Sequence, residues 1–117
     1  MKYGVRSKEI KTVDPKKEAG SIKQPLGLVP PISLSALSEA LKHGADKYGP
    51  FNWRTNGIES FTYVHAMMRH LDAWRDGEDN DPQSGLSHIA HVMANCAILL
   101  DAAACNKLTD TRYKIQK

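Results

Sequence analysis

The chain has 117 residues, of which 41% are hydrophobic and 25% charged, with a formal net charge of +3. That length suits one small domain, which buries about two thirds of its unfolded surface, and that hydrophobic share excludes a disordered chain. No run approaches the roughly 18 apolar residues of a membrane span and no basic-then-apolar start resembles a signal peptide, so the composition predicts a cytoplasmic globular protein.

Residues 1–31 read as an arm. Pro15, Pro25, Pro30 and Pro31 interrupt it and its apolar periodicity is weak, so it has room for a short extended or helical piece only. Its first 24 residues carry seven Lys/Arg against Glu9, Asp14 and Glu18. A first helix follows, capped by Ser33 or Ser35 and running to residue 47, with Leu34, Leu37 and Leu41 on one face and Gly44 near its end. Residues 47–54, reading Lys-Tyr-Gly-Pro-Phe-Asn-Trp-Arg, form a Gly/Pro loop with three aromatics.

A second helix is predicted over 58–75, stopping at Gly77, with an apolar stripe of Phe61, Val64, Met68 and Leu71 and with Met67 and Trp74 alongside. Glu78 to Asp81 make a turn. Pro82, at a first helical position after Asp81 as cap, starts a third helix over 82–104, whose core stripe is Leu86, Ile89, Met93, Ala97 and Leu100. Cys96 and Cys105 stand nine apart, about two and a half helical turns, so they face opposite ways. They read as buried small hydrophobes in a reducing compartment rather than as a disulfide.

Residues 107–117 form a basic tail with four Lys/Arg against Asp110, while 25–106 hold five Lys/Arg against nine carboxylates. An acidic middle between basic ends suits a core that holds a cation. The tails read as solvated, and nucleic acid is not an expected partner. Three helices without a strand give an all-α fold of three to four helices: an antiparallel bundle over 32–106, with the N-terminal arm and the C-terminal tail outside it. Three helices leave apolar faces uncovered, so a homodimer or homotetramer is expected to complete the bundle.

The polar residues concentrate between 69 and 95, where three histidines and five carboxylates crowd two helices and the bend between them. Such groups cost several kcal/mol each when buried unpaired, so their crowding asks for a purpose, and a divalent cation fits. Ser84, His88, His91 and Asn95 follow one another at steps of four, three and four, which places them on one helical stripe. A short connection makes the last two helices antiparallel and brings His70 towards His88 and His91. Glu78 and Asp81, at i,i+3 spacing, offer two carboxylates to a hard cation such as Mg²⁺ or Mn²⁺. His88 and His91 are either both ligands, or one ligand and one orienting group; the second option is preferred for His91. Zinc is disfavoured by the abundance of carboxylate. His43 and His65 read as structural.

The 47–54 loop reads as the substrate end. Lys47 and Arg54 would meet phosphates, Tyr48 or Trp53 would stack on a flat ring, and Asn52 would read a hydrogen-bonding edge. The blander account is an aromatic loop that closes the bundle.

Gly44-Ala45-Asp46-Lys47-Tyr48, Asn52-Trp53-Arg54, Arg69-His70-x-x-x-Trp74-x-x-Gly77-Glu78-x-x-Asp81 and Ser84-Gly85-x-x-His88-x-x-His91 together resemble the phage dATP/dGTP diphosphohydrolase family of the MazZ type. The likeness covers about residues 25–101, including Gly27-Leu28-Val29-Pro30-Pro31 ahead of the first helix. It implies kinship with the MazG-like all-α NTP pyrophosphohydrolases, which cut between the α and β phosphates with Mg²⁺ or Mn²⁺. By that implication the chain converts dGTP, and also dATP, to the monophosphate and pyrophosphate, in the host cytoplasm. Two departures accompany it. Gln83 stands where Glu is expected before the Ser-Gly pair, and His88 falls where a MazG-type Glu-x-x-Asp would end.

With the resemblance in place, Glu78, Asp81, His70 and His88 are the expected metal ligands, with Glu39 on the first helix as an additional carboxylate. Lys47, Arg54 and Arg69 would neutralise charge on the leaving pyrophosphate. A carboxylate free of metal, or His91, would be the general base. A different class of function stands beside this one: a non-catalytic helical module whose basic arms bind a protein or nucleic acid. A phosphohydrolase of the His-Asp type is disfavoured, because no His-Asp dipeptide occurs.

Overall fold

The computed structural model describes residues 14–116, so the basic stretch before Asp14 and Lys117 lie outside the described residues. The described part of the arm begins with a short helix, α1 (Pro15–Gly20), because Asp14 accepts the Lys16 N–H at 3.0 Å and Pro15 takes the first helical position. A 3₁₀ turn follows at Leu26–Leu28, and Ile22, Leu26 and Leu28 are all largely exposed.

Helix α2 (Pro31–Tyr48) starts ahead of the expected Ser33 or Ser35 cap. Pro30 is the cap residue instead, and Pro31 occupies the first position, where its missing N–H would have had no partner and its fixed φ is already helical. Gly49, at φ 92, ends the helix. The segment expected as a loop contains a five-residue helix, α3 (Asn52–Asn56), entered through Phe51 at φ 54.

The next helix also differs at its start. Ile58 and Glu59 do not open it; they form β1 (Ile58–Glu59), paired in parallel with β2 (Leu108–Thr109). The expectation of no strand is corrected by this ribbon, which is too short to show any period in sequence. Helix α4 (Ser60–Arg75) follows and stops as Gly77 predicts, with the Glu78 N–H donated to the Ala73 carbonyl at 2.9 Å.

Helix α5 (His88–Ala104) begins later than Pro82. The reason lies in residues 78–87, which close on themselves. Gly85 adopts φ 75, its N–H reaches Asp81 O at 2.7 Å, Asp81 N–H reaches Leu86 O at 2.8 Å, and Asn80 bridges to Ser87. Ser87, not Asp81, caps the helix by accepting the Ile89 N–H at 3.1 Å. Ser84 therefore reaches the histidines from this loop, not from a helical stripe.

Helix α5 packs against α4 and against α2. Helices α4 and α5 run antiparallel, since Met67 meets Cys96 while His70 meets His88. The closest packing is made by alanines, with Ala40 of α2 on Ala90 and Ala94 of α5, flanked by Leu37, Leu41 and Met93. Small side chains let the helices approach and push larger neighbours to the rim. Leu100, expected in the core stripe, is accordingly 75% exposed, and Met68, Leu71 and Trp74 of α4 are exposed as well.

Both cysteines are exposed rather than buried. Cys96 lies two positions beyond buried Ala94 and so faces away from the core, while Cys105 is the cap residue after the last turn.

Candidate active site

Helices α2 to α5 and the 78–87 loop enclose a cleft of about 490 Å³. It joins the two groups that the sequence sets apart: Lys47, Tyr48, Asn52 and Trp53 line it, and so do Arg69, His70, Asp81, His88 and His91. Tyr63, His43, Gln83 and Asn95 also line it, with small and apolar side chains of α2, α4 and α5 between them.

Two hydrogen-bonded chains run from this wall to Glu78 and Ser84, which do not themselves line the cleft. In the first, His88 Nε2 lies 2.7 Å from Glu78 Oε1 and His88 Nδ1 lies 2.8 Å from His70 Nδ1. A carboxylate accepts only, so Nε2–H is donated to Glu78; His88 Nδ1 then accepts from His70 Nδ1–H when His88 is neutral. His88 is buried at 4% exposure, whereas the Glu78 side chain is half exposed. In the second chain the Ser84 hydroxyl bridges His91 Nε2 at 2.7 Å and Asp81 Oδ2 at 3.3 Å. The chains touch where His70 stacks on His91, with ring centroids 4.6 Å apart, and His43 meets His91 edge-on at 5.8 Å.

Burial pushes the His70 pKa below the ordinary imidazole value, helped by His88 and Arg69 and opposed by Asp81. His91 is lowered by burial and by His70, again against Asp81. Both rings are therefore neutral near pH 7. Burial alone would raise Asp81, but the Gln83 backbone N–H at 3.2 Å, the Ser84 hydroxyl and the nearby histidines outweigh it and keep Asp81 ionised. Gln83 thus serves Asp81 through its main chain.

The remaining expected site residues divide. Glu39 is exposed on α2 and does not line the cleft. Arg54 does not line it either: Nε and Nη2 each donate to Asp101, both at 2.8 Å. Trp53 Nε1 donates to the same carboxylate at 2.7 Å. Among the described residues no three His, Cys, Asp or Glu side chains converge as a formed metal cage, because the imidazoles and carboxylates bond one another. By donor type alone these carboxylates and imidazoles suit a divalent cation, but both His88 nitrogens are engaged, Nε2 by Glu78 and Nδ1 by His70, and His88 would ligate only by exchanging one of those bonds. Carboxylates at Glu78 and Asp81 with imidazoles at His70 and His88 make a mixed oxygen–nitrogen set that suits Mn²⁺ better than Mg²⁺.

Sequence reasoning missed Tyr63 and His43 as cleft residues and Asp101 altogether. Asp101 did leave a signal: it is the lone charge in the apolar run 97–104, and such a charge asks for a partner.

Comparison with known proteins follows the same lines. A dATP/dGTP diphosphohydrolase of Salmonella phage PMBT28 is 33% identical over 70 residues, covering 60% of this chain and 23% of that protein. The chain thus matches less than a quarter of that relative's length. No solved structure matches the chain. The family profile described as "dATP/dGTP diphosphohydrolase, N-terminal" matches residues 13–112, which takes in all four motifs and every residue of the cleft, and the chain belongs to that family.

Proposed function

We propose that the chain is a metal-dependent pyrophosphohydrolase of purine deoxynucleoside triphosphates, taking dGTP, and also dATP, to the monophosphate and pyrophosphate in phage nucleotide metabolism. The observation that carries this reading is the single cleft shared by an aromatic and amide group (Tyr48, Asn52, Trp53) and a cluster of carboxylate, imidazole and cationic groups (Asp81, His70, His88, His91, Lys47, Arg69). Similarity to a phage protein named dATP/dGTP diphosphohydrolase supports the choice of substrate.

Tyr48 and Trp53 offer flat faces to a nucleobase and Asn52 a hydrogen-bonding edge. Lys47 and Arg69 balance the triphosphate charge and the charge that grows on the leaving pyrophosphate. A Mg²⁺ or Mn²⁺ ion held by Glu78, Asp81, His70 and His88 would supply Lewis-acid stabilisation and an activated water. His91, neutral and held at Nε2 by Ser84, takes a proton at Nδ1 as general base. Glu39 has no part in this reading, and Arg54 acts through Asp101. A homodimer or homotetramer is the working form.

Incubating the chain with each common nucleoside triphosphate, with Mg²⁺ or Mn²⁺, and separating the products by chromatography tests the reaction. Monophosphate and pyrophosphate from dGTP or dATP are expected; release of intact triphosphate, or no turnover, rejects it. Glu78→Ala and His88→Ala should each lower turnover by about 10–100-fold or more with the helical circular dichroism intact. Full activity in both variants would sink this site.

A further inference from the structure

Helix α3 has only five residues, too few to hold itself as an isolated helix. It is entered through Phe51 at φ 54, a left-handed conformation that a bulky residue keeps only when its surroundings impose it. Asp101 of α5 supplies that constraint. Its Oδ2 accepts Trp53 Nε1–H at 2.7 Å and Arg54 Nε–H at 2.8 Å, and its Oδ1 accepts Arg54 Nη2–H at 2.8 Å. The Arg54 guanidinium in turn lies 4.4 Å over the Phe51 ring, which sits 5.4 Å from the Trp53 ring. Hydrogen bonds from Arg54, then Trp53, hold the Asp101 carboxyl well below the usual carboxylate range.

We propose that Asp101 is a positioning residue for nucleobase recognition: outside the active-site cleft itself, it holds the Trp53 indole as a fixed wall of that cleft on which the base stacks. The inference rests on the nucleotide reading given above and adds to it the group that sets the stacking surface. It also gives Arg54 a role. Its two N–H bonds fix the carboxylate plane, so that Oδ2 meets the indole N–H.

Binding, not turnover, is the sharper test. A dGTP analogue with a methylene in place of the oxygen between the α and β phosphates is titrated calorimetrically into the full chain, as wild type, Asp101→Ala, Trp53→Ala and the double variant. Each single variant should weaken binding by about tenfold, the scale of one base–aromatic stack. The double variant should bind no more weakly than Trp53→Ala alone, since Asp101 acts through that ring. Wild-type affinity in Asp101→Ala, or losses that multiply in the double variant, overturns the proposal. Should Asp101→Ala fail to fold, Asp101→Asn, which keeps one acceptor for the indole but gives up the charge that pairs Arg54, replaces it in the same cycle. Failure of folded wild type to bind the analogue overturns the nucleotide reading itself and this inference with it.

Discussion

His70 and His91 stack in the cleft wall, partly buried. Both rings are held below the ordinary imidazole value of about 6.5, mainly by burial, although Asp81 pulls each the other way. The unfolded chain therefore takes up protons at these two sites at a higher pH than the folded chain does. The contribution to stability is whole above about pH 6.5, is lost as pH falls through the lowered folded values, and levels off below them. Asp81 does not blur this window: its pKa is also lowered, and its contribution fades only below about 3.9, the usual Asp value. The midpoint of thermal unfolding, followed by circular dichroism, should fall between about pH 8 and pH 5, and His91→Asn should fall less. A midpoint that rises across that interval would refute the assignment.

Helices α2 and α4 form where their periodicity places them, although Leu34, Met68 and Leu71 of the expected stripes are exposed, and at two of the places where the chain leaves the expected helices a glycine is the cause. Gly57 leads from α3 into the β1–β2 ribbon at φ 77, and a Cβ there would stand 3.3 Å from the Lys107 carbonyl oxygen, which accepts the Ile58 N–H at 2.9 Å. Backbone conformation and space both demand glycine. Gly57→Ala should cost about 1–2 kcal/mol in urea unfolding, the penalty of the left-handed region, with the ribbon the first part to open. An unchanged midpoint would show that the ribbon contributes nothing to the fold. Gly85 plays the corresponding part in the 78–87 loop, where its φ of 75 breaks the helix that Asp81 and Pro82 otherwise announce.

For the whole molecule the core is thin. The buried hydrophobic residues among those described are Ala40, Ala90, Ala94 and Ala102, and no large side chain is fully buried. Ile32, Met68, Leu71, Trp74 and Leu100 are exposed instead, each at least 43%. A small domain that leaves this much apolar surface in water is under-supplied with burial, and pairing of copies would provide it. Sedimentation should therefore give a dimer or tetramer, and Leu71→Glu, on the exposed face of α4, should shift it towards monomer with helicity retained. A wild-type monomer at micromolar concentration would end that expectation.

What the sequence alone determined is the all-α architecture, the stop at Gly77, the family likeness and the grouping of His70, Glu78, Asp81, His88 and His91. These follow from short-range rules: helical period, cap chemistry and motif spacing act over a few residues and can be read in order along the chain. The tertiary structure alone decided which partner each of those groups takes. That His88 is shared between Glu78 and His70, that Ser84 links His91 to Asp81, and that Arg54 is tied to Asp101 rather than left for phosphate all depend on contacts between residues distant in sequence. It also decided which apolar residues are buried, since periodicity marks a face but not how closely the facing helix can approach. Here alanines set that approach, and the larger side chains were left at the rim.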